Sequence, residues 1–261
     1  MSHPVNAQPS AVLNKVPEVT LGFWAIKILS TTVGETGADY LAVHVGLGTA
    51  ITGAATAGLL IAALVVQFRA PRYVPWIYWL TVVLVSVVGT QITDALTDGL
   101  GVSLYTSTFV FALGLGCVFT AWYRAERTLS IRTIVTPRRE LFYWLAILLT
   151  FALGTAAGDL ATEELGLGFQ SGVVVFGGLI GAIALAWRLG LNAVLAFWLA
   201  YVLTRPLGAS LGDFLSQAQT YGGLGLGTVY TSLAFLVLIV VLVVLTNLRR
   251  SPLGAPARDE T

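Results

Sequence analysis

Four segments of the chain align without a gap: WAIKILSTTVGETGAD from Trp24, WLTVVLVSVVGTQITD from Trp79, WLAILLTFALGTAAGD from Trp144 and WLAYVLTRPLGASLGD from Trp198. Each opens on Trp, has Gly ten residues on (Gly34, Gly89, Gly154, Gly208) and ends on Asp fifteen residues on (Asp39, Asp94, Asp159, Asp213). An aromatic residue precedes each Trp: Phe23, Tyr78, Tyr143 and Phe197. A Gly-Leu-Gly follows each Asp (Gly46–Gly48, Gly99–Gly101, Gly166–Gly168, Gly225–Gly227), and a second apolar run begins there. A chain with this periodicity must build its core from one unit used four times.

Each unit reads as a helix A from Trp to Asp, a short Gly-rich turn and a helix B. Repeats fall at 16–70, 71–136, 137–190 and 191–248, with tails at 1–15 and 249–261 that read as disordered. The first tail lacks an apolar core and is not a cleavable signal peptide. Apolar runs of 18 or more residues recur, and Thr228–Leu245 carries no charge at all. Such runs cross a hydrocarbon core of about 30 Å. Only 10% of the residues are charged, against 56% hydrophobic, too few to coat a water-facing surface, for which roughly a quarter is usual. The expected fold is therefore all-α: a polytopic membrane protein of eight transmembrane helices, at 20–41, 47–67, 76–97, 103–123, 141–162, 168–187, 195–216 and 227–247, arranged as four parallel two-helix repeats with the A helices central.

Charge placement sets the expected orientation. Outside the spans, every Lys and Arg lies in the N-terminal tail, a B-to-A linker or the C-terminal tail, whereas the A-to-B turns carry Asp98, Glu163 and Glu164. By the positive-inside rule both termini are expected to be cytoplasmic. This arrangement, and the opening KVPEVTLGFWAIKILSTTVGE from Lys15 to Glu35, resemble an uncharacterised bacterial family of membrane-anchored proteins built of four tandem two-helix repeats with a signature tryptophan. The resemblance covers roughly residues 15–247. It implies a multi-helix bacterial membrane protein and no particular activity, that family being of unknown function.

On a helical wheel Lys27, Thr31, Glu35 and Asp39 form an i, i+4 ladder on one stripe of about 120°, and Arg205 and Asp213 share the matching stripe of the fourth repeat. Ionisable groups are expensive against lipid, so this face points inward. Fifteen residues of helix span about 22 Å, which places the four Asp toward the outer side if the Trp sit in the inner aromatic belt as interface anchors. Four carboxylates at one depth form an expected ring, suited to a proton or a hard divalent cation, with carboxylates bonding helix ends as the rival reading. Lys27, Glu35 and Arg205 each occur in one repeat only: Val82, Ile147 and Tyr201 stand where Lys27 does, Thr90, Thr155 and Ala209 where Glu35 does, and Thr31, Ser86 and Phe151 where Arg205 does. Charges absent from the other copies are not required to build the repeat, and they mark specialisation. Lys27 is expected to pair with Glu35, and Pro206 to kink or break its helix. The repeat glycines, with Gly48, Gly53, Gly58, Ala54 and Ala57 of the first helix B, read as close helix packing. His44 reads as an exposed loop residue.

No HExxH, no GxSxG and no cysteine pair is present, so an enzyme is not expected, nor any cofactor. A net charge of +1 points to no nucleic-acid partner. Two functions stay open: a cation- or proton-coupled transporter using the acidic stripe, and a non-transporting scaffold or sensor whose basic linker from Arg124 to Arg139 meets a cytoplasmic partner or anionic lipid. A homo-oligomer also stays open.

Overall fold

The computed structural model describes residues 14–44 and 49–250. Among the described residues eight α-helices carry the fold: α1 (Leu21–His44), α2 (Thr49–Arg69), α3 (Pro75–Asp94), α4 (Leu104–Glu126), α5 (Pro137–Asp159), α6 (Phe169–Arg188), α7 (Ala193–Ser216) and α8 (Thr228–Arg250). Seven of them are long and apolar enough to cross a membrane; α1, which carries Lys27, Glu35 and Asp39, is not among these.

Local sequence explains the helix starts. Pro75 and Pro137 open α3 and α5, where a fixed φ helps and the missing N–H costs nothing. Thr136 and Asn192 cap α5 and α7, the Asn192 carboxamide oxygen accepting from the amides of Val194 (2.9 Å) and Leu195 (3.2 Å). The Gly-Leu-Gly motif has a conformational reason, since Gly101, Gly166, Gly168, Gly225 and Gly227 all take φ between 67° and 78°, a region that side chains avoid.

The A helices α1, α3, α5 and α7 pack side by side into a closed ring, α7 returning to α1. Each B helix lies not against its own helix A but against the next one: α2 on α3, α4 on α5, α6 on α7, and α8 back on α1. Like residues meet at every junction. The aromatic before each Trp touches the Trp of the next repeat, as Phe23–Trp79 (5.6 Å between ring centroids), Tyr78–Trp144 (5.6 Å), Tyr143–Trp198 (6.3 Å) and Phe197–Trp24 (5.6 Å). About three turns further along, the repeat glycine of each helix receives a residue of the next: Gly34 meets Ser86, Gly89 meets Phe151, Gly154 meets Arg205 and Gly208 meets Thr31. The four A helices are therefore parallel and related by a pseudo-fourfold axis.

Several expectations need correction. The tryptophans do not face outward as anchors of an inner aromatic belt: Trp79, Trp144 and Trp198 are buried and Trp24 is half-buried, in a ring formed by the four Trp and the aromatic before each, at one end of the bundle. The A helices start before the Trp and run past the Asp, as the expected spans do, and π-helical turns at Ala95–Gly99 and Leu160–Glu164 extend two of them beyond Asp94 and Asp159. α7 runs unbroken through Pro206, whose ring packs against the Cα positions of Gly154 and Gly158 on α5. Gly53 and Gly58 meet nothing within 4 Å of where a Cβ would stand, and Ala54 is exposed. Ala54 and Gly58 face outward with the rest of the apolar B-helix surface, which includes Ile61, Val174 and Val237, while Gly53 and Ala57 are half-buried. Gly48 and the side chain of His44 lie outside the described residues.

Lys15 is not part of a loose tail. Its ammonium group is buried, donating to the Glu140 carboxylate (2.6 Å) and the Phe68 carbonyl (2.9 Å), while Gln67 donates to the same carboxylate (3.1 Å). The backbone at 14–15 also bonds to Tyr73 and Ile134. The N-terminal segment thus ties together the first two B-to-A linkers at the tryptophan end of the bundle.

Candidate functional site: a charged layer on the bundle axis

Within the ring, small hydroxyl side chains leave room for one large one. Arg205, on the inward face of α7, is 1% exposed and reaches every other A helix. It pairs with the Glu35 carboxylate of α1, donates to the Thr31 carbonyl (3.1 Å), and donates to the hydroxyls of Thr155 on α5 (3.0 Å) and Thr90 on α3. Thr90 in turn lies 3.5 Å from Glu35. One guanidinium thus satisfies a carboxylate, a carbonyl and two hydroxyls on three helices, a fit to its fork of donors that an ammonium group lacks.

Lys27 lies toward the aromatic end. It is 1% exposed, and among the described residues its amine has no hydrogen-bond partner. The amine rests over the faces of Phe151 (3.9 Å to the centroid) on α5 and Tyr201 (4.3 Å) on α7. The guanidinium carbon of Arg205 is 6.0 Å from the same Phe151 ring. Glu35 is therefore paired with Arg205 and not with Lys27, which corrects the expected couple. Eight residues separate Lys27 from Glu35 on α1, about 12 Å of helix rise, beyond the reach of the two side chains for direct pairing.

On the other side of Arg205 lie the repeat carboxylates. Asp213 is buried, and Asp94 and Asp159 are half-buried. Asp159 lies within electrostatic reach of Glu35, Asp94, Glu163 and Arg205. The side chain of Asp39 lies outside the described residues. Among the described residues no group of three or more His, Cys, Asp or Glu side chains is arranged to hold a metal ion, so the described carboxylates make an acidic end to the axis without forming a cation cage. A cleft of about 410 Å³ opens at that end, lined by Thr162, Glu163, Gly168, Phe169, Gln217 and Tyr221.

The sequence pattern singled out Glu35, Arg205 and Lys27 but passed over Thr90 and Thr155. Their signal was the register: both occupy the Glu35 position of their own repeats, and parallel repeats point that position at one axis. Glu140 was also missed, because its partner Lys15 sits in a segment without regular structure.

A family model described as a Repeat of Unknown Function (DUF347) matches the chain four times, at residues 22–73, 77–128, 142–189 and 196–251. No curated protein and no solved structure matches it.

Proposed function

Because the chain belongs to the family of the Repeat of Unknown Function (DUF347), which brings no activity with it, we propose a function from the bundle's own chemistry: an integral protein of the bacterial inner membrane, with eight spans and both termini cytoplasmic, that moves a proton or a small cation along the axis of its A-helix ring. The observation that carries this reading is the Arg205–Glu35 pair on that axis, with Lys27 below it and the repeat carboxylates above. Ionisable side chains inside a membrane are costly and mark ion or proton pathways by default. Three charges, each in one repeat of four, are not needed to close a ring whose other junctions close without them.

The outward apolar surface of the B helices supports the membrane location, and the orientation follows from the basic residues gathered at the aromatic end. Reporter fusions within residues 163–167 are expected to read as outside; a cytoplasmic signal there overturns the topology.

Proteoliposomes loaded with a proton-sensitive or divalent-metal-sensitive dye test transport itself. Glu35→Gln is expected to cut flux by at least about tenfold, whereas Asp94→Asn, in a repeat without extra charges, costs no more than about threefold. Equal flux in both variants and the parent sinks the transporter reading.

A second reading has its own support. Glu35 is 6% exposed, and Arg205 already occupies it. A transporter has to open a route to that carboxylate; a scaffold has no need to. In a scaffold or sensor the pair is a staple between repeats, and the basic linker supplies the contact to a partner. Part of that linker is already bonded internally, since Arg139 donates to Glu126 (2.8 Å) and to the Thr133 carbonyl (3.1 Å). Absence of flux for every ion tested, in a folded protein, selects this reading.

A further inference from the structure

We propose that Lys27 is the proton-carrying group of the axis and that the species moved is the proton, metal cations being excluded; the inference rests on the transport reading. The first observation is that the Lys27 amine is buried in the ring without a hydrogen-bond acceptor among the described residues. The second is that its neighbours are two aromatic faces, Phe151 and Tyr201, with Arg205 beyond the first. The only carboxylate in this layer of the axis among the described residues, Glu35, is held by Arg205.

These surroundings treat a metal cation and a proton differently. A metal ion descending from the acidic end keeps its charge, so it has to pass Arg205 and then Lys27 in a low-dielectric interior where the described residues offer no oxygen cage to replace its water. A proton needs only a base. The free amine of Lys27 accepts one and becomes an ammonium held by the π faces of Phe151 and Tyr201; giving the proton up returns the amine and leaves no buried charge. Next toward the aromatic end stand the hydroxyls of Tyr78 and Tyr143, buried and 2.5 Å apart. Together they give a proton an acceptor and an onward pair on the aromatic side of Lys27. The Arg205 layer separates Lys27 from the repeat carboxylates, so proton supply from that end requires water or a helix movement past Arg205. Gating belongs at that step.

The test compares proton flux and divalent-metal flux in proteoliposomes for the parent, Lys27→Met, Lys27→Arg and Tyr143→Phe. Lys27→Met is expected to lower proton flux by at least about tenfold while melting no lower than the parent, because an apolar side chain fits between the two rings. Lys27→Arg keeps a cation but cannot release its proton, and it is expected to lose flux equally. Tyr143→Phe is expected to give a partial loss. Metal flux in the parent comparable to proton flux, or proton flux unchanged in Lys27→Met, overturns this inference and leaves transport standing. No flux of any ion in the parent overturns both.

Discussion

Arg205→Met is expected to destabilise the bundle by about 3–5 kcal/mol, the cost of removing one partner from a buried ion pair. The loss has a specific structural form. Glu35 is left charged or must take up a proton, the Thr31 carbonyl keeps only its intrahelical bond, and Thr90 and Thr155 lose the donor that joins α3 and α5 to α7. A second substitution, Glu35→Leu, removes the orphaned carboxylate. Replacing a whole buried pair with apolar groups is often neutral or stabilising, so the double variant is expected to regain most of the loss. Thermal unfolding in detergent, read by intrinsic tryptophan fluorescence, measures both, since Trp79, Trp144 and Trp198 all lie in the core. If the double variant is as unstable as the sum of the single ones, the two residues do not act as a pair.

Gly208→Val is expected to prevent the ring from closing. A Cβ at that position overlaps the Cβ and hydroxyl of Thr31, and the backbone nitrogen of Thr32 lies 3.1 Å away. The hydroxyl can rotate about χ1, but the Thr31 Cβ and the Thr32 nitrogen cannot swing aside, because they belong to the root of the side chain and to the helix itself. Overpacking of an ordinary core site costs about 1–3 kcal/mol, and at a backbone-to-backbone approach the cost is expected at or above the upper end. Gly154→Val meets the root of Arg205 and is expected to behave alike. Gly58→Ala is the control: with open space around it, it gains up to about 1 kcal/mol of helix propensity. Size-exclusion profiles of the solubilised variants are expected to show aggregation for the two valine variants and a parent-like peak for Gly58→Ala. Parent-like peaks for all three overturn the reading of the repeat glycines as the contact points of the ring.

These expectations show how far periodicity alone reaches. The Trp, Gly and Asp of each repeat were legible because one unit used four times leaves its fixed positions in the sequence. Helix ends shifted by only a few residues, since Pro75, Pro137, Asn192 and the Gly-Leu-Gly turns act locally. The inward direction of Lys27, Glu35 and Arg205 was legible for the same reason: one helix wheel places them on a stripe that lipid would reject.

Which residues meet was not legible. That Glu35 answers Arg205, 170 residues away, depends on α7 closing onto α1, and no local pattern distinguishes a closed ring from an open row. The glycines of the first helix B look like a packing stripe until tertiary structure shows that each helix B packs on the following helix A with a different face. Pro206 looks like a break until Gly154 and Gly158 leave room for its ring against α5. The sequence by itself determined the unit, its helices and the inward stripe, because these follow from chain-local sterics and from burial of one face. Only the tertiary structure decided the ring closure, the Arg205 partners and the isolation of Lys27, because those depend on which inward faces meet across the axis.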